Sequence, residues 1–274
     1  MNISMLTMEQ YDNRRPNTVG SSRIRGAWVM KYEPRIKRFE IGEKVDAVIY
    51  QKAYYHDHMK QFTGIKVFDL CDPDWLENKP LAELAENVDA FTVTTEAIAG
   101  YLRQITQKPV VVIPDRIDPD EHVPTHVRHV GRARTVVWYG YSQNHEMLDQ
   151  TVDEIHKRGM ELVIISDRNY HSGDVFIKYE YPKVHEDIAK YDMILLPDYK
   201  NNVKYQYKSN NKTLTAWGLR MPVATSPDDL DRFLSADERE KEAETRLQEV
   251  LEKHHVRQSG PEYIKLIEEL AKGR

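Results

Sequence analysis

One cysteine among 274 residues, Cys71, excludes an intramolecular disulfide, and no Cys/His spacing of the zinc-binding kind occurs. Long apolar runs are also missing: the stretches 110–113 and 193–196 fall far short of the roughly 20 residues that cross a bilayer. The start of the chain lacks the basic-then-apolar layout of a secretory signal. These absences lead us to expect a reducing, cytoplasmic setting and a chain that folds without covalent staples. Positive charge is in deficit, with 39 basic against 44 acidic residues and a net charge of -5, which argues against a general nucleic-acid coat. The deficit is uneven. Arg14, Arg15, Arg23, Arg25, Lys31, Arg35, Lys37 and Arg38 outnumber Glu9, Asp12 and Glu33 within the first 38 residues. Surplus acid gathers between 228 and 252, alternating with basic residues as on a solvated helix face.

Short Val- and Ile-rich runs, each followed by a helix-like stretch, indicate parallel strands with crossover helices. We read strands at 46–51, 66–70, 90–94 and 110–113, with a further one within 1–8 and a helix opening near Ser22 that Pro34 interrupts. A second series follows at 135–139, 162–166, 175–179, 193–196 and 223–225. Between them, 114–134 is rich in Pro, His, Asp and Arg without a sustained period, as inter-domain connections are. The expected architecture is α/β: two tandem Rossmann-like doubly wound domains, 1–120 and 121–274, ending in two helices. Tyr263, Ile264, Leu266, Ile267 and Leu270 give the last helix an apolar stripe that must cover something. Ligands of such sheets bind at the C-terminal edges of the strands, so the site is expected in a cleft between the halves.

Two segments carry phosphate-binding chemistry. Strand 136–139 runs into Gly140, Tyr141 and Ser142, a turn where a ligand can approach backbone N–H groups at a helix start. The same pattern also fits an ordinary tight turn. Lys204, Lys208, Ser209, Asn210, Asn211, Lys212 and Thr213 gather ammonium, amide and hydroxyl groups before a second helix, suited to a diphosphate or to a plain solvated cap.

Taken in order, Ile113-Pro114-Asp115-Arg116-Ile117-Asp118, the strand and glycine turn 135–142, Tyr191-Asp192 through Pro197, and Lys208 through Gly218-Leu219-Arg220-Met221-Pro222-Val223 resemble the nucleotide-sugar-dependent glycosyltransferases of GT-B fold, families 1 and 4 among them. The resemblance spans most of residues 20–235. It implies transfer of a sugar from a nucleoside-diphosphate sugar to an acceptor hydroxyl, with the second domain holding the donor and no tightly bound cofactor. It also departs from the pattern: where many retaining members carry two glutamates, Tyr207 and Thr215 stand here. That leaves stereochemistry open and puts the local donor contacts on Lys208, Asn211 and Lys212.

By the same resemblance, Ser21, Ser22, Arg23 and Arg25 occupy the place of a loop that closes on donor and acceptor, and Glu180 and Tyr181 stand where members contact the base. Arg168, following strand 162–166, either adds a charge to the diphosphate or is a surface arginine. The donor half shows no clear Asp-x-Asp metal site, so a metal-independent reaction is expected. Asp72, with Asp69 next, follows a buried strand and suits a general base; a turn cap before Pro73 is the competing role. Tyr54 to His58 reads as a surface loop rather than a metal site. The N-terminal arginines suit a phosphorylated acceptor, the donor diphosphate, or a nucleic acid such as a hydroxymethylated base in a viral host's cytoplasm; a glycan is the other acceptor class. Rival functions are a GT-B-like sugar-nucleotide epimerase or phosphorylase, and a non-catalytic nucleotide- or sugar-phosphate-binding protein.

Overall fold

Runs of Val, Ile, Phe and Tyr uninterrupted by charge cannot present a polar face, so they form strands buried on both sides, as parallel sheets require. A computed structural model describes residues 1–15, 18–122, 127–198 and 202–274, and the segment 123–126 of the expected inter-domain connection lies outside these. Among the described residues, β1 (Ile3–Thr7), β2 (Ile36–Arg38), β3 (Ala47–Gln51), β4 (Ile65–Leu70), β5 (Ala90–Val93) and β6 (Val110–Val112) form one sheet in the order β2-β1-β3-β4-β5-β6. A second sheet contains β7 (Thr135–Tyr139), β8 (Glu161–Ser166), β9 (Val175–Lys178), β10 (Met193–Leu195) and β11 (Val223–Ala224), ordered β11-β10-β7-β8-β9. Every pairing in both sheets is parallel.

The chain resolves into two units. The first comprises 1–118, 201–210 and 255–274; the second comprises 119–200 and 211–254. In the first, Val48, Tyr50, Phe68, Leu70, Phe91 and Val93 pack against Leu84, Ile98 and Leu102 from flanking helices. Thr95 caps the helix Glu96–Ile105 by accepting from the Ile98 amide. The last helix, Ser259–Lys272, buries Tyr263, Ile264, Leu266 and Ile267 against β4 and the helix Trp28–Tyr32 of this same unit. In the second unit Val137, Val163, Ile165 and Ile194 meet Ile188, Ala216 and Leu219.

Strand order sets where a ligand can sit. In the first sheet the chain leaves β1 for β2 and then crosses to β3 on the opposite side; in the second it runs β7-β8-β9 before returning to β10 beside β7. These reversals make β1/β3 and β10/β7 the switch points, where crossover connections part and open a crevice at the strand ends.

Candidate functional site

At the second switch point β7 ends in Gly140, whose φ of 154° lies where glycine is favoured. A Cβ at that position would collide with the Nζ of Lys212 and stand 3.1 Å from the Trp138 ring. Lys212 Nζ donates to the Tyr139 carbonyl at 2.9 Å and lies 5.0 Å from the centre of the Trp138 ring. The Tyr139 hydroxyl in turn donates to the Lys212 carbonyl at 2.8 Å. Strand end and helix start are therefore laced together. They bring a glycine turn, a lysine ammonium and the first turn of helix Asn211–Gly218 to one place, with Asn211 and Thr213 half-buried in that turn. A cation and a helix N-terminus suit a phosphate group, while the Gly140 amide itself donates to the Ile165 carbonyl at 3.0 Å.

Neighbouring strand ends add polar and aromatic groups. Ser142 donates its amide at 2.6 Å and its hydroxyl at 2.9 Å to Asp167, just beyond β8. The Ser142 amide is the main reason the Asp167 carboxyl titrates below its ordinary range. Tyr141 is exposed, and its ring centre is 6.2 Å from that of Tyr179. Arg168 and Glu180 are exposed, and Arg168 makes no side-chain bond with any described residue. The Tyr181 hydroxyl donates to Glu121 at 2.8 Å, within the second unit.

The first unit distributes the other expected residues between two networks. In the interior, Arg25 donates to Asp69 Oδ2 at 2.7 Å and Oδ1 at 2.6 Å, to Asp115 at 3.0 Å, to the Ile113 carbonyl at 2.9 Å and to the Tyr263 hydroxyl at 2.9 Å. Five bonds use all five guanidinium hydrogens, so nothing remains for a phosphate. Burial opposes the charge, and Asp69, Tyr263 and Asp115 together reverse that effect and raise the Arg25 pKa. Asp69 Oδ1 also accepts from Thr92 and Tyr263, each at 2.7 Å. Fully buried and accepting from Arg25, Thr92 and Tyr263, Asp69 ties the interior of the first unit together. Gly26 lies in the π-helical turn Arg23–Ala27, and a Cβ there would fall 2.5 Å from the Thr7 side chain. Buried Ser22 donates to Gln51 at 2.9 Å, half-buried Arg23 lies over Trp28, and half-buried Ser21 sits between Gly20 and Ser22 on the same helical segment. Exposed Arg14 pairs with Asp12 at 2.7 Å.

The second network stands at the strand ends. Asp72 Oδ2 accepts from Lys52 Nζ at 2.9 Å, and Oδ1 lies 3.5 Å from Lys208 Nζ. Lys52 also reaches Asp74 at 3.0 Å, whose other oxygen accepts from Tyr54 at 2.7 Å. Ser209 donates to Asp115 at 2.6 Å and Lys204 pairs with Glu77 at 3.3 Å. Lys204, Lys208 and Ser209 thus belong to the carboxylate side of the first unit, together with exposed Asn210, while Asn211, Lys212 and Thr213 belong to the second. Sequence reasoning gave no role to Lys52 or Asp74 and read Tyr54 as part of a surface loop. Their signal was positional: Lys52 directly follows a strand as apolar as the one that leads to Asp72.

The run 54–58, expected to be a surface loop, instead enters the helix His56–Gln61. His58 Nδ1 shares a 2.7 Å hydrogen bond with the Tyr50 hydroxyl, and its ring stacks on Tyr55 and Phe62. Apolar partners on both ring faces explain the difference. Among the described residues no group of three or more His, Cys, Asp or Glu side chains is placed to hold a metal, and no helix is long and apolar enough to cross a membrane.

No protein-family model matches the chain, and no curated protein matches it. Solved structures do. The chain aligns over 99% of its length with 98% of AviGT4, a glycosyltransferase involved in avilamycin A biosynthesis, at 12% identity and a TM-score of 0.59. It aligns over 97% of its length with 99% of T4 phage BGT in complex with its UDP-glucose substrate, at 12% identity and a TM-score of 0.58. The DNA modifying enzyme beta-glucosyltransferase, solved with and without uridine diphosphoglucose, gives 0.59 at 11% identity over 97% of this chain and 99% of that one. At these identities the likeness is one of fold: the chain has the GT-B fold of tandem Rossmann-like units.

Proposed function

We propose that the chain is a glycosyltransferase that moves a sugar from a nucleoside diphosphate to an acceptor hydroxyl. The observation that carries this reading is the lacing of Tyr139, next to Gly140, to Lys212 at the switch point of the second sheet, a setting suited to a diphosphate on a fold whose solved examples include glycosyltransferases. In the reaction the bond between the anomeric carbon and the diphosphate oxygen breaks, and its electron pair leaves with the diphosphate. Lys212 and the amides of the first helical turn neutralise that developing charge. Tyr141, Ser142, Arg168 and Glu180 supply further donor contacts from the same sheet edge. The acceptor oxygen bonds to the anomeric carbon and gives its proton to a carboxylate, for which Asp72 is the candidate. A nucleotide-sugar donor and a buried lone thiol at Cys71 suit a cytoplasmic setting.

UDP-glucose, the substrate of the T4 phage enzyme, is the first donor to try, followed by other nucleotide sugars. Acceptors should include simple glycans and hydroxymethylated DNA. We expect release of the nucleoside diphosphate with a matching mass gain on an acceptor, and loss of both in Lys212→Ala. A nucleoside diphosphate that raises the melting temperature while no donor is ever consumed would identify a binding protein instead.

A further inference from the structure

We propose that Lys52 is the residue that positions Asp72, fixing one carboxylate oxygen so that the other is presented as the proton acceptor. This rests on the reading of Asp72 as the base. Lys52 stands immediately after β3 at the switch point of the first sheet, and its Nζ bridges Asp72 Oδ2 at 2.9 Å and Asp74 Oδ1 at 3.0 Å. Its side chain is only 13% exposed, against 41% for Lys208, whose approach to Asp72 Oδ1 is longer at 3.5 Å. Both ends of Lys52 are held. Its backbone has a φ of 49°, a conformation that a residue with a side chain keeps only where its surroundings impose it, and its amide donates to the Asp69 carbonyl at 3.0 Å. Asp74, the second anchor, is itself fixed by the Tyr54 hydroxyl.

The groups facing Asp72 are Lys52 from the end of β3, Lys208 from 202–210, and Cys71 and Asp74 from its own segment, with Tyr54 behind Asp74. They set the two carboxylates apart. Burial by itself would raise Asp72, and Lys52, ahead of Lys208, brings it below the ordinary carboxylate range. For Asp74 burial prevails over the same lysine and the carboxyl is raised. Two carboxyls around one lysine are thereby driven in opposite directions, which is how neighbouring groups acquire separate acid and base roles. Asp72 is the member that ionises more readily. Its Oδ2 is spent on Lys52, and a proton arrives at Oδ1.

The test is a carbon-13 NMR titration of the aspartate carboxyls in the wild type, Lys52→Met and Lys52→Arg, run beside pH profiles of kcat. In Lys52→Met we expect Asp72 to titrate at least about one pH unit higher. The acidic limb of kcat should move up with it, because the base works only when ionised. At neutral pH kcat should fall about tenfold or more while KM for the nucleotide sugar stays within about twofold. Lys52→Arg should restore the limb. Lys52→Asn, which tolerates a positive φ, serves the same purpose should the methionine variant fail to fold. An Asp72 titration and acidic limb that stay put in the variants lacking the lysine charge would overturn the positioning role. Failure of the glycosyltransferase reading is distinct: the wild type would then consume no nucleotide sugar, whatever the carboxyl titrations show.

Discussion

Arg25 and Asp69 show how far residue type alone can mislead. Arginine is mostly exposed, and four arginines in a cationic segment suggest a surface cluster. Here Arg25 lies in the core of the first unit, 3% exposed, with acceptors drawn from positions 69, 113, 115 and 263. Arg25→Met would leave Asp69 and Asp115 buried without their cation, and we expect it to destabilise the first unit by about 3–5 kcal/mol in urea unfolding. Tyr263→Phe, which removes one donor to Asp69 and one acceptor from Arg25, should cost about 1–3 kcal/mol. Asp72→Asn belongs to the other network and should fold normally. We expect it to slow transfer by about 10²–10⁴ while nucleoside-diphosphate affinity is unchanged; turnover equal to wild type would remove Asp72 as the base. The placement of Asp72 at a strand end was legible because the apolar run that precedes it is local in sequence. Arg25 was not, since its partners are scattered through the chain and no local spacing records them.

For elements, legibility followed local composition. The strands from β3 to β11 announce themselves by short runs rich in Val and Ile, even where Lys66 and Asp69 interrupt β4 and where β9 is largely exposed, and their observed ends lie close to those expected. β2 escaped notice because Ile36-Lys37-Arg38 is short and two of its three residues are exposed, as an edge strand allows. The turn at Gly140 was visible as a glycine after a strand, but its partner was not. Only the strand order shows that Lys212 comes to it, since β10 returns beside β7 and delivers the following helix to that edge. Gly140→Ala therefore has a specific consequence. The new methyl group meets the Lys212 ammonium in a backbone conformation that alanine disfavours. Nucleoside-diphosphate affinity should fall about tenfold or more by calorimetry, with little change in the titration of Asp72.

At the scale of the whole molecule, the apolar stripe on the last helix promised a covered face without saying which sheet it covers. The structure gives it to the first unit: Arg116 donates to Ser259 at 2.9 Å and pairs with Glu262 at 2.8 Å, and Tyr263 enters the Arg25 network. A chain ending at residue 254 should consequently lose the cooperative unfolding of the first unit and its protection from hydrogen exchange, while the second keeps its own core. The proposal of donor chemistry at Gly140 and Lys212 depends on where the diphosphate binds. Titration of uridine diphosphate into the wild type and Lys212→Ala, followed by calorimetry and by amide shifts of residues 140–142 and 211–213, tests this most directly. The account predicts saturable binding that perturbs those amides and weakens at least tenfold, about 1.4 kcal/mol, in the variant. Equal affinity in both proteins, or shifts confined to residues away from Gly140, would contradict it.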